Sequence, residues 1–491
     1  MTDAALTLDA VGEVLRSADL LTETRGSGDV VVMGVTQDSR EVEAGNLFLA
    51  WKGTEFDAHD FVAGAAERGA VATIVERPLD VGIAQLVVSN GRKAAALAAD
   101  AVMGFPSREI LTLGVTGTNG KTTTALLIRH LLALDLKTVV IGTLGVLDEE
   151  GVRPGTEGLT TPGPVQVAVW LRQLVDGGAG AAVLEASSHA LEQHRLDGVR
   201  FDVGIFTNLT QDHLDYHGDL QAYRRAKVRL VGLVADDGTV IVNGADPAWT
   251  ALDVGSRELK TFAVGAEADL SATDVVLGPD RTAFTLLAGG SAYSVRTPLI
   301  GAYNVENTLG AIAAARAAGL SMARIVERLA SAPQASGRLE AVITEPFSVL
   351  IDFAHTPAAL QGALSAVGPL TKGRLIVLFG AGGDRDRSKR LAMAEAVSAM
   401  ADIVVLTSDN PRTEDPEVIL DDLAEGLGGI DYVRLVDRRQ AIVRTLEIAE
   451  PGDTVVLAGK GHETYQVVGT EKRSFDERVI VREALEAMGV S

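Results

Sequence analysis

Residues 110–132 read ILTLGVTGTNGKTTTALLIRHLL: an apolar run, a glycine-rich turn, then a second apolar run of helical period. A strand that passes through glycines straight into a helix opens a βα unit. Such units build parallel sheets covered by helices on both faces. The turn also has a chemistry. Gly117 and Gly120 let backbone N–H groups wrap an anion, Lys121 reaches β- and γ-phosphates, and the Thr122 hydroxyl suits Mg²⁺. The helix N-terminus adds partial positive charge. The generic spacing G-x-x-x-x-G-K-[ST] would place glycine at 115; this chain has Val115, with Gly114 one step early. A plain glycine turn beside a surface lysine is the alternative, and the order strand, glycines, Lys-Thr, helix disfavours it.

The alternation extends along the chain. Residues 29–103 hold short apolar strands (DVVVMGV, NLFLA, VATIV, AQLVV) between helical stretches such as DFVAGAAERGA, the pattern of a small α/β domain. After the turn GFPSRE, the runs ILTLGVTG, TVVIGT, AAVLEAS, FDVGIFTN and GTVIVNG predict a mostly parallel, doubly wound sheet. Residues 268–297 read as strands without helices between them, an antiparallel insertion, and two helices follow over 304–330. From SGRLE onward, four apolar runs each end in a polar cluster: SVLIDFAHT, LIVLFGAGGD, IVVLTSDNP and TVVLAGKGHE. Ligands bind at the carboxyl ends of parallel strands, so these ends predict a second binding face. The expected architecture is α/β with three domains. They are a small N-terminal α/β domain (1–107), a central phosphate-loop domain with a doubly wound, mostly parallel sheet (108–335), and a C-terminal Rossmann-like α/β domain (336–491).

Composition narrows the partners. At 491 residues the chain exceeds one core. Its net charge of −22 disfavours nucleic acid, whose phosphates need Lys/Arg surfaces. With no cysteine there are no disulfides or thiolate metal sites. The start MTDAALTLDA does not resemble a secretory leader, and no apolar run reaches the ~18 residues of a membrane span. A cytoplasmic protein without membrane insertion is the expectation.

Two carboxylate–imidazole clusters follow neighbouring strands. LEASSHAL carries Glu185, and TNLTQDHLDYHG carries Asp212 and His213. Singly, Glu185 and His213 read as helix caps; beside a phosphate loop they suit Mg²⁺ in a phosphoryl-transfer site. AYRRAKVRL places Lys227 on a helix, where it reads on its own as an exposed lysine among arginines.

GTNGKTT, TTP, EASSHAL, DHLDYHG, AYRRAK, GAYNVENTLGAIA, SGRLE, DFAHTPAAL, GAGGDRDRSKR, DNPRTEDP and GKGHETYQ together resemble the Mur ligases. Within them they resemble the tripeptide-synthetase branch, which adds the third amino acid of the peptidoglycan stem peptide. The resemblance spans residues 38–478. The loop alone fits a wider superfamily that includes folylpolyglutamate synthetase; SSHALEQHR, DNPR and GKGHE are far more specific.

That resemblance implies a chemistry. ATP converts a substrate carboxylate to an acyl phosphate, and an amine attacks it to form an amide. Gly117, Thr118, Asn119, Gly120, Lys121, Thr122 and Thr123 would hold the phosphates. Thr122, Glu185 and His213 would bind Mg²⁺, and a carbamylated Lys227 would help hold a second ion. Lys121, Glu185, His213 and Lys227 are thus the implied catalytic set. Adenine and ribose contacts map to Asn304, Asn307, Arg338 and Asp352, with His355 close by; Asn at i and i+3 would turn both amides to one base. Ser39 and Arg40 match contacts to the sugar nucleotide. Thr160, Thr161, Ser187, Gln193 and Arg195 match contacts to UDP-MurNAc-L-Ala-D-Glu. Arg385, Asp409, Asn410, Pro411, Arg412, Gly459 and Glu463 match the diamino-acid site. Arg412 would take the second carboxylate of meso-diaminopimelate, for which a lysine-adding site has no use, and the alternative is the same ligase adding L-lysine, L-ornithine or another diamino acid. The implied protein is a monomer acting on small molecules. The rivals are a folylpolyglutamate-type ligase and a catalytically silent nucleotide-binding scaffold.

Overall fold

The computed structural model describes residues 6–53, 56–153, 159–278, 281–334 and 336–489. The first five residues of the N-terminal reading and the expected boundary residue 335 lie outside them. The chain forms three sheets in succession, each mostly parallel, plus a small hairpin.

The first sheet has the spatial order Leu21–Arg25, Ala84–Val88, Ala72–Val75, Asn46–Leu49, Gly34–Thr36, and only Leu21–Arg25 is antiparallel to its neighbour. Side chains alternate across it, as period 2 requires. Leu47 and Leu49 join the core under helices Leu8–Ser17 and Gly91–Val102, while Phe48 packs with Val62 and Ala65 on the other face. Helix Gly91–Val102 is alanine-rich, so neighbours lie close. The same core takes in Val165 and Ala168 of helix Pro164–Asp176, joining the first unit to the second.

The second sheet has eleven strands. Its parallel body runs Leu270–Leu277, Glu258–Val264, Val234–Asn243, Phe201–Phe206, Leu111–Thr116, Ala181–Glu185, Thr138–Gly142. Antiparallel pairs extend both edges. Residues 268–297 form strands without helices between them, paired antiparallel among themselves as expected, but they continue the central sheet rather than form a separate insertion. Leu270–Leu277 pairs in parallel with Glu258–Val264, and Thr282–Ala288 and Ser291–Thr297 continue the same sheet. Leu111–Thr116 lies between the strands ending at Glu185 and Phe206, so the loop after it opens between those two ends. Helices Lys121–Leu132 and Ala302–Ala317 cover one face, and helix Pro164–Asp176 the other.

The third sheet has the order Glu340–Ile343, Ser348–Asp352, Thr454–Ala458, Leu375–Phe379, Ile403–Leu406, Tyr432–Arg434, antiparallel only at its first strand. The four runs singled out in the sequence are its four adjacent inner strands. Nearly every residue in them is buried, as helix-covered parallel strands require. Their polar ends consequently share one edge. Among the described residues no helix is long and apolar enough to cross a membrane.

Candidate active site

The glycine loop has the backbone an anion cradle needs. Gly117 has φ +145° and Gly120 φ +85°. A Cβ at Gly117 would lie 1.8 Å from Thr207 Oγ1, and one at Gly120 2.2 Å from Asn307 Oδ1, so neither position accepts a side chain. Val115 is wholly buried in the strand, and Gly114 makes room for Phe201 and Leu230, which explains the departure from the generic spacing. Lys121 Nζ donates to the carbonyls of Gly117 and Thr118, each at 2.9 Å, and so lies across its own loop.

Glu185 is the hub behind the loop, 1% exposed. Its Oε2 accepts from Thr122 Oγ1 (3.0 Å) and Thr143 Oγ1 (2.9 Å), and its Oε1 accepts from the Thr143 N–H (3.0 Å). Thr143 Oγ1 also lies 3.3 Å from Thr160 Oγ1, whose hydroxyl can donate to it. Thr161 Oγ1 donates to the Glu185 carbonyl at 2.6 Å and lies 3.1 Å from Ser187 Oγ. Arg195 donates to the Thr161 carbonyl (2.8 Å) and to Gln193 Oε1 (2.7 Å). Thr160, Thr161, Ser187, Gln193 and Arg195 thus form a connected polar surface beside Glu185.

His213 sits in the left-handed region (φ 54°), with Nε2 3.4 Å from Asp212 Oδ2. Desolvation lowers its pKa against the pull of Asp212, which keeps the imidazole neutral near pH 7. Lys227 is 1% exposed; its Nζ donates to the Gly117 carbonyl at 2.7 Å and lies 4.4 Å from the Tyr223 ring centre. Burial, reinforced by Lys121, drives its pKa well below the ordinary lysine value. It is therefore no exposed lysine.

A cavity of about 620 Å³ unites much of this set. Thr118, Asn119, Gly120, Lys121, Thr122, Thr160, Glu185 and His213 form one wall; Arg338, His355, Arg385 and Glu463 of the third unit form the other. His355 Nδ1 donates to the Phe353 carbonyl at 2.8 Å, leaving Nε2 as an acceptor, and burial lowers its pKa. A second cavity of about 250 Å³ adjoins it, lined by Asn119, Gly120, Thr123, Asn307, Arg338 and Asp352 together with Tyr303 and Glu306. Both Asp352 oxygens accept backbone N–H groups, of Ala354 and Leu339, at 2.7 Å.

Asn304 departs from expectation. Its Nδ2 donates to the Ile300 carbonyl (2.8 Å) and its Oδ1 accepts from Asn307 Nδ2 (2.9 Å). The two amides meet each other rather than one base, and only Asn307 reaches the cavity. Asn304 orients Asn307.

Among the described residues no three His, Asp or Glu side chains converge to hold a metal. The Thr122 hydroxyl and Glu185 carboxylate are hard oxygen donors, and Mg²⁺ draws its remaining ligands from water and phosphate. That pair fits Mg²⁺. Unmodified Lys227 does not: it donates to Gly117 and is not on the cavity wall.

In the third unit, the strand ends are tied together from behind. Arg438 and Glu477, both wholly buried, form an ion pair at 2.8 Å, and Arg438 also donates to the Ser408 (3.3 Å) and Ala458 (2.8 Å) carbonyls. Gly459 (φ +114°) leaves room for Asp409. Asp409 is held below the usual carboxylate range; burial would raise it, and Lys460 and Arg438 outweigh burial. Asn410 Nδ2 donates to Glu463 Oε2 at 2.9 Å. Pro411 packs through its carbonyl against Gly383, where a Cβ would lie 1.9 Å away. Arg412 donates through NH1 to the Gly383 carbonyl (2.7 Å), and Arg385 donates to the Asp384 carbonyl (3.2 Å). Among the described residues both guanidiniums thus bond only carbonyls.

The first unit stands apart from these cavities. Arg40 is bonded to Asp38, with Nε 2.9 Å from Oδ1, and neither Ser39 nor Arg40 lines either of these two cavities. Gln37 nonetheless lies beside Gly163 of the second unit. Sequence reasoning missed Thr143 and Lys460. Thr143 was readable as the polar end of TVVIGT, the strand beside Ala181–Glu185. Lys460 carries no signal beyond its place in GKGHE.

Three family models cover this chain in order. They are the Mur ligase family, catalytic domain over 31–111, the Mur ligase middle domain over 115–315, and the Mur ligase, glutamate ligase domain over 337–461. The UDP-N-acetylmuramoyl-L-alanyl-D-glutamate–2,6-diaminopimelate ligase of Geobacillus thermodenitrificans is 40% identical over 471 residues, covering 94% of this chain and 96% of that protein. The protein of that name from Synechococcus elongatus is 42% identical over 475 residues, covering 93% and 94%. A solved structure of a ligase of the same name superposes with a TM-score of 0.71 at 32% identity, covering 99% of this chain and 100% of that one. With likeness of this depth sustained through all three sheets, the chain belongs to the Mur ligase family.

Proposed function

We propose that this chain is an ATP-dependent amide ligase joining meso-2,6-diaminopimelate to UDP-MurNAc-L-Ala-D-Glu in peptidoglycan precursor synthesis. The observation that carries it is the shared 620 Å³ cavity, whose walls are a phosphate loop on one unit and the polar strand ends of another. That geometry suits a reaction in which an acid is activated at one wall and intercepted by an amine from the other.

In this reading residues 1–107 bind the UDP-sugar, with Ser39 and Arg40 as contacts, 108–335 bind ATP, and 336–491 bind the amino acid. The base enters the smaller cavity beside Asn307, and the phosphates lie along Gly117–Thr123. A substrate carboxylate oxygen attacks the γ-phosphorus, the bond to the β-bridging oxygen breaks, and ADP leaves. The amine then attacks the acyl carbon and inorganic phosphate departs. Lys121 and the loop N–H groups offset the charge that gathers on the phosphate oxygens. Thr122 and Glu185, with His213 nearby, would hold Mg²⁺, which supplies further charge neutralisation when bound. Lys227 is read as carbamylated. Thr160, Thr161, Ser187, Gln193 and Arg195 position the glycopeptide.

The diamino acid is read from Arg385 and Arg412. Two guanidiniums paired only with carbonyls call for an external carboxylate, which diaminopimelate has and L-lysine or L-ornithine lacks at that end. The protein is read as a cytoplasmic monomer working on small molecules. ADP release from ATP is the test, with the glycopeptide and a panel of diamino acids. Release that requires both UDP-MurNAc-L-Ala-D-Glu and diaminopimelate is expected. Release without the glycopeptide, or equal use of L-lysine, overturns the assignment.

A further inference from the structure

Lys460 is wholly buried at the end of strand Thr454–Ala458. Glycines with positive φ flank it, Gly459 at +114° and Gly461 at +54°, and the turn closes with the Glu463 N–H donating to the Lys460 carbonyl at 2.9 Å. This turn folds the lysine side chain inward beneath Glu463. Its three N–H donors are all used: Asn410 Oδ1 at 2.6 Å, Glu463 Oε2 at 2.9 Å and the Tyr465 carbonyl at 2.9 Å, with Asp409 Oδ1 3.4 Å away.

The consequences are geometric and electrostatic. Asn410 Oδ1 also accepts the Val467 N–H at 2.8 Å, so its amide has one orientation and its Nδ2 must point to Glu463. Glu463 Oε2 is engaged by both Asn410 and Lys460. Oε1 has no partner among the described residues, while Glu463 lines the cavity. Two carboxylates and one ammonium leave one net negative charge, matched to one ammonium of a ligand. An uncompensated buried pair of carboxylates would instead repel itself or take up a proton.

We propose that Lys460 is a positioning residue for the incoming amino acid, fixing Asn410 and Glu463 and trimming the acidic pair to a single charge that meets the amino group of its amino-carboxylate end. This rests on the ligase reading above. The amino acid touches Glu463 and Asn410, and Lys460 acts through them.

The test is steady-state kinetics on the full chain, with ATP, UDP-MurNAc-L-Ala-D-Glu and meso-diaminopimelate each varied in turn. Lys460→Met should raise the KM for diaminopimelate about tenfold or more, the loss of roughly one charge-assisted hydrogen bond, while the KM for ATP and for the glycopeptide stay within about twofold. Should Lys460→Met not fold, Lys460→Gln, which keeps a donor toward Asn410 or Glu463 and removes the charge, is measured in its place with the same expectation. An unchanged KM for diaminopimelate overturns the proposal. So does a parallel rise in all three KM values, or a loss of kcat alone, as a purely structural role would give. Failure of the unaltered protein to release ADP with these substrates would instead overturn the ligase reading itself.

Discussion

Thr122 Oγ1 donates a 3.0 Å hydrogen bond to Glu185 Oε2, joining the second residue of the phosphate-loop helix to the last residue of the adjacent strand. That bond links the phosphate cradle to a carboxylate already fixed by the strand register and by Thr143. Glu185→Gln keeps the shape but turns an acceptor-only group into one that must point an NH₂ at Thr143 or Thr122. It also removes the charge a divalent cation requires. ADP release is expected to fall by about 100-fold or more, the cost of losing a ligand or charge in a phosphoryl-transfer site. The melting temperature is expected to shift by only a few degrees. A variant that keeps more than a tenth of normal turnover would remove Glu185 from the catalytic set.

Asp100 gives the stability of this fold a pH dependence. It is 3% exposed on helix Gly91–Val102, its Oδ1 has no partner among the described residues, and burial raises its pKa to about 7 against a smaller pull from Arg108. The folded state therefore holds this proton between about pH 4 and 7, where the unfolded chain has released it. Stability from this group is fully present below about pH 4, falls as pH rises from there, and is lost once pH passes about 7. Asp100→Asn should stabilise by only about 1–2 kcal/mol at pH 5 and by roughly 4 kcal/mol at pH 8. Thermal unfolding of both proteins at the two pH values checks this. An equal effect at both pH values would mean that Asp100 is ionised throughout.

The fold was readable because the chain repeats one local device, a short apolar strand ending in glycine or polar residues. Leu111–Thr116 and the four inner strands of the third sheet follow from it directly. The antiparallel strands of residues 268–297 were legible, but their continuity with the central sheet was not, because alternation does not say which neighbour a strand pairs with; the parallel register of Leu270–Leu277 with Glu258–Val264 is set by tertiary contact. Asn304 was misread for a related reason. Spacing puts it on the same helix face as Asn307 but does not say whether an amide turns outward or to its neighbour. Thr143 and Lys460 were overlooked because their roles arise from what they touch across 42 and 50 residues of sequence.

Arg412 should govern the amino acid more than the rate. It is half-buried, burial and Arg385 lower its pKa, and among the described residues only its NH1 is engaged, so Nε and the other NH₂ can grip a carboxylate. Arg412→Ala is expected to raise the KM for diaminopimelate by about 30-fold or more, the worth of a bidentate charge-assisted pair, with kcat within a few-fold. L-Lysine, lacking the second carboxylate, should be affected less. Kinetics with both amines decide it; an equal loss on both would deny Arg412 its selective role.

Lys227 is where composition, burial and chemistry meet most closely. A carbamate forms when a neutral amine attacks CO₂ and releases one proton, so an ordinary exposed lysine near pH 7 is a poor candidate. Lys227 is buried beside Lys121, and both factors favour the neutral amine. Lys227→Ala should leave the loop in place, because the Gly117 carbonyl still accepts from Lys121 Nζ at 2.9 Å. Turnover is nonetheless expected to fall by about 100-fold or more, as for other charge-stabilising groups in such sites. ¹³C-Bicarbonate added to the unaltered protein should give a carbamate carbon signal that Lys227→Ala lacks. Near-normal turnover in the variant, or the same signal in both proteins, would show that Lys227 serves only to hold the loop.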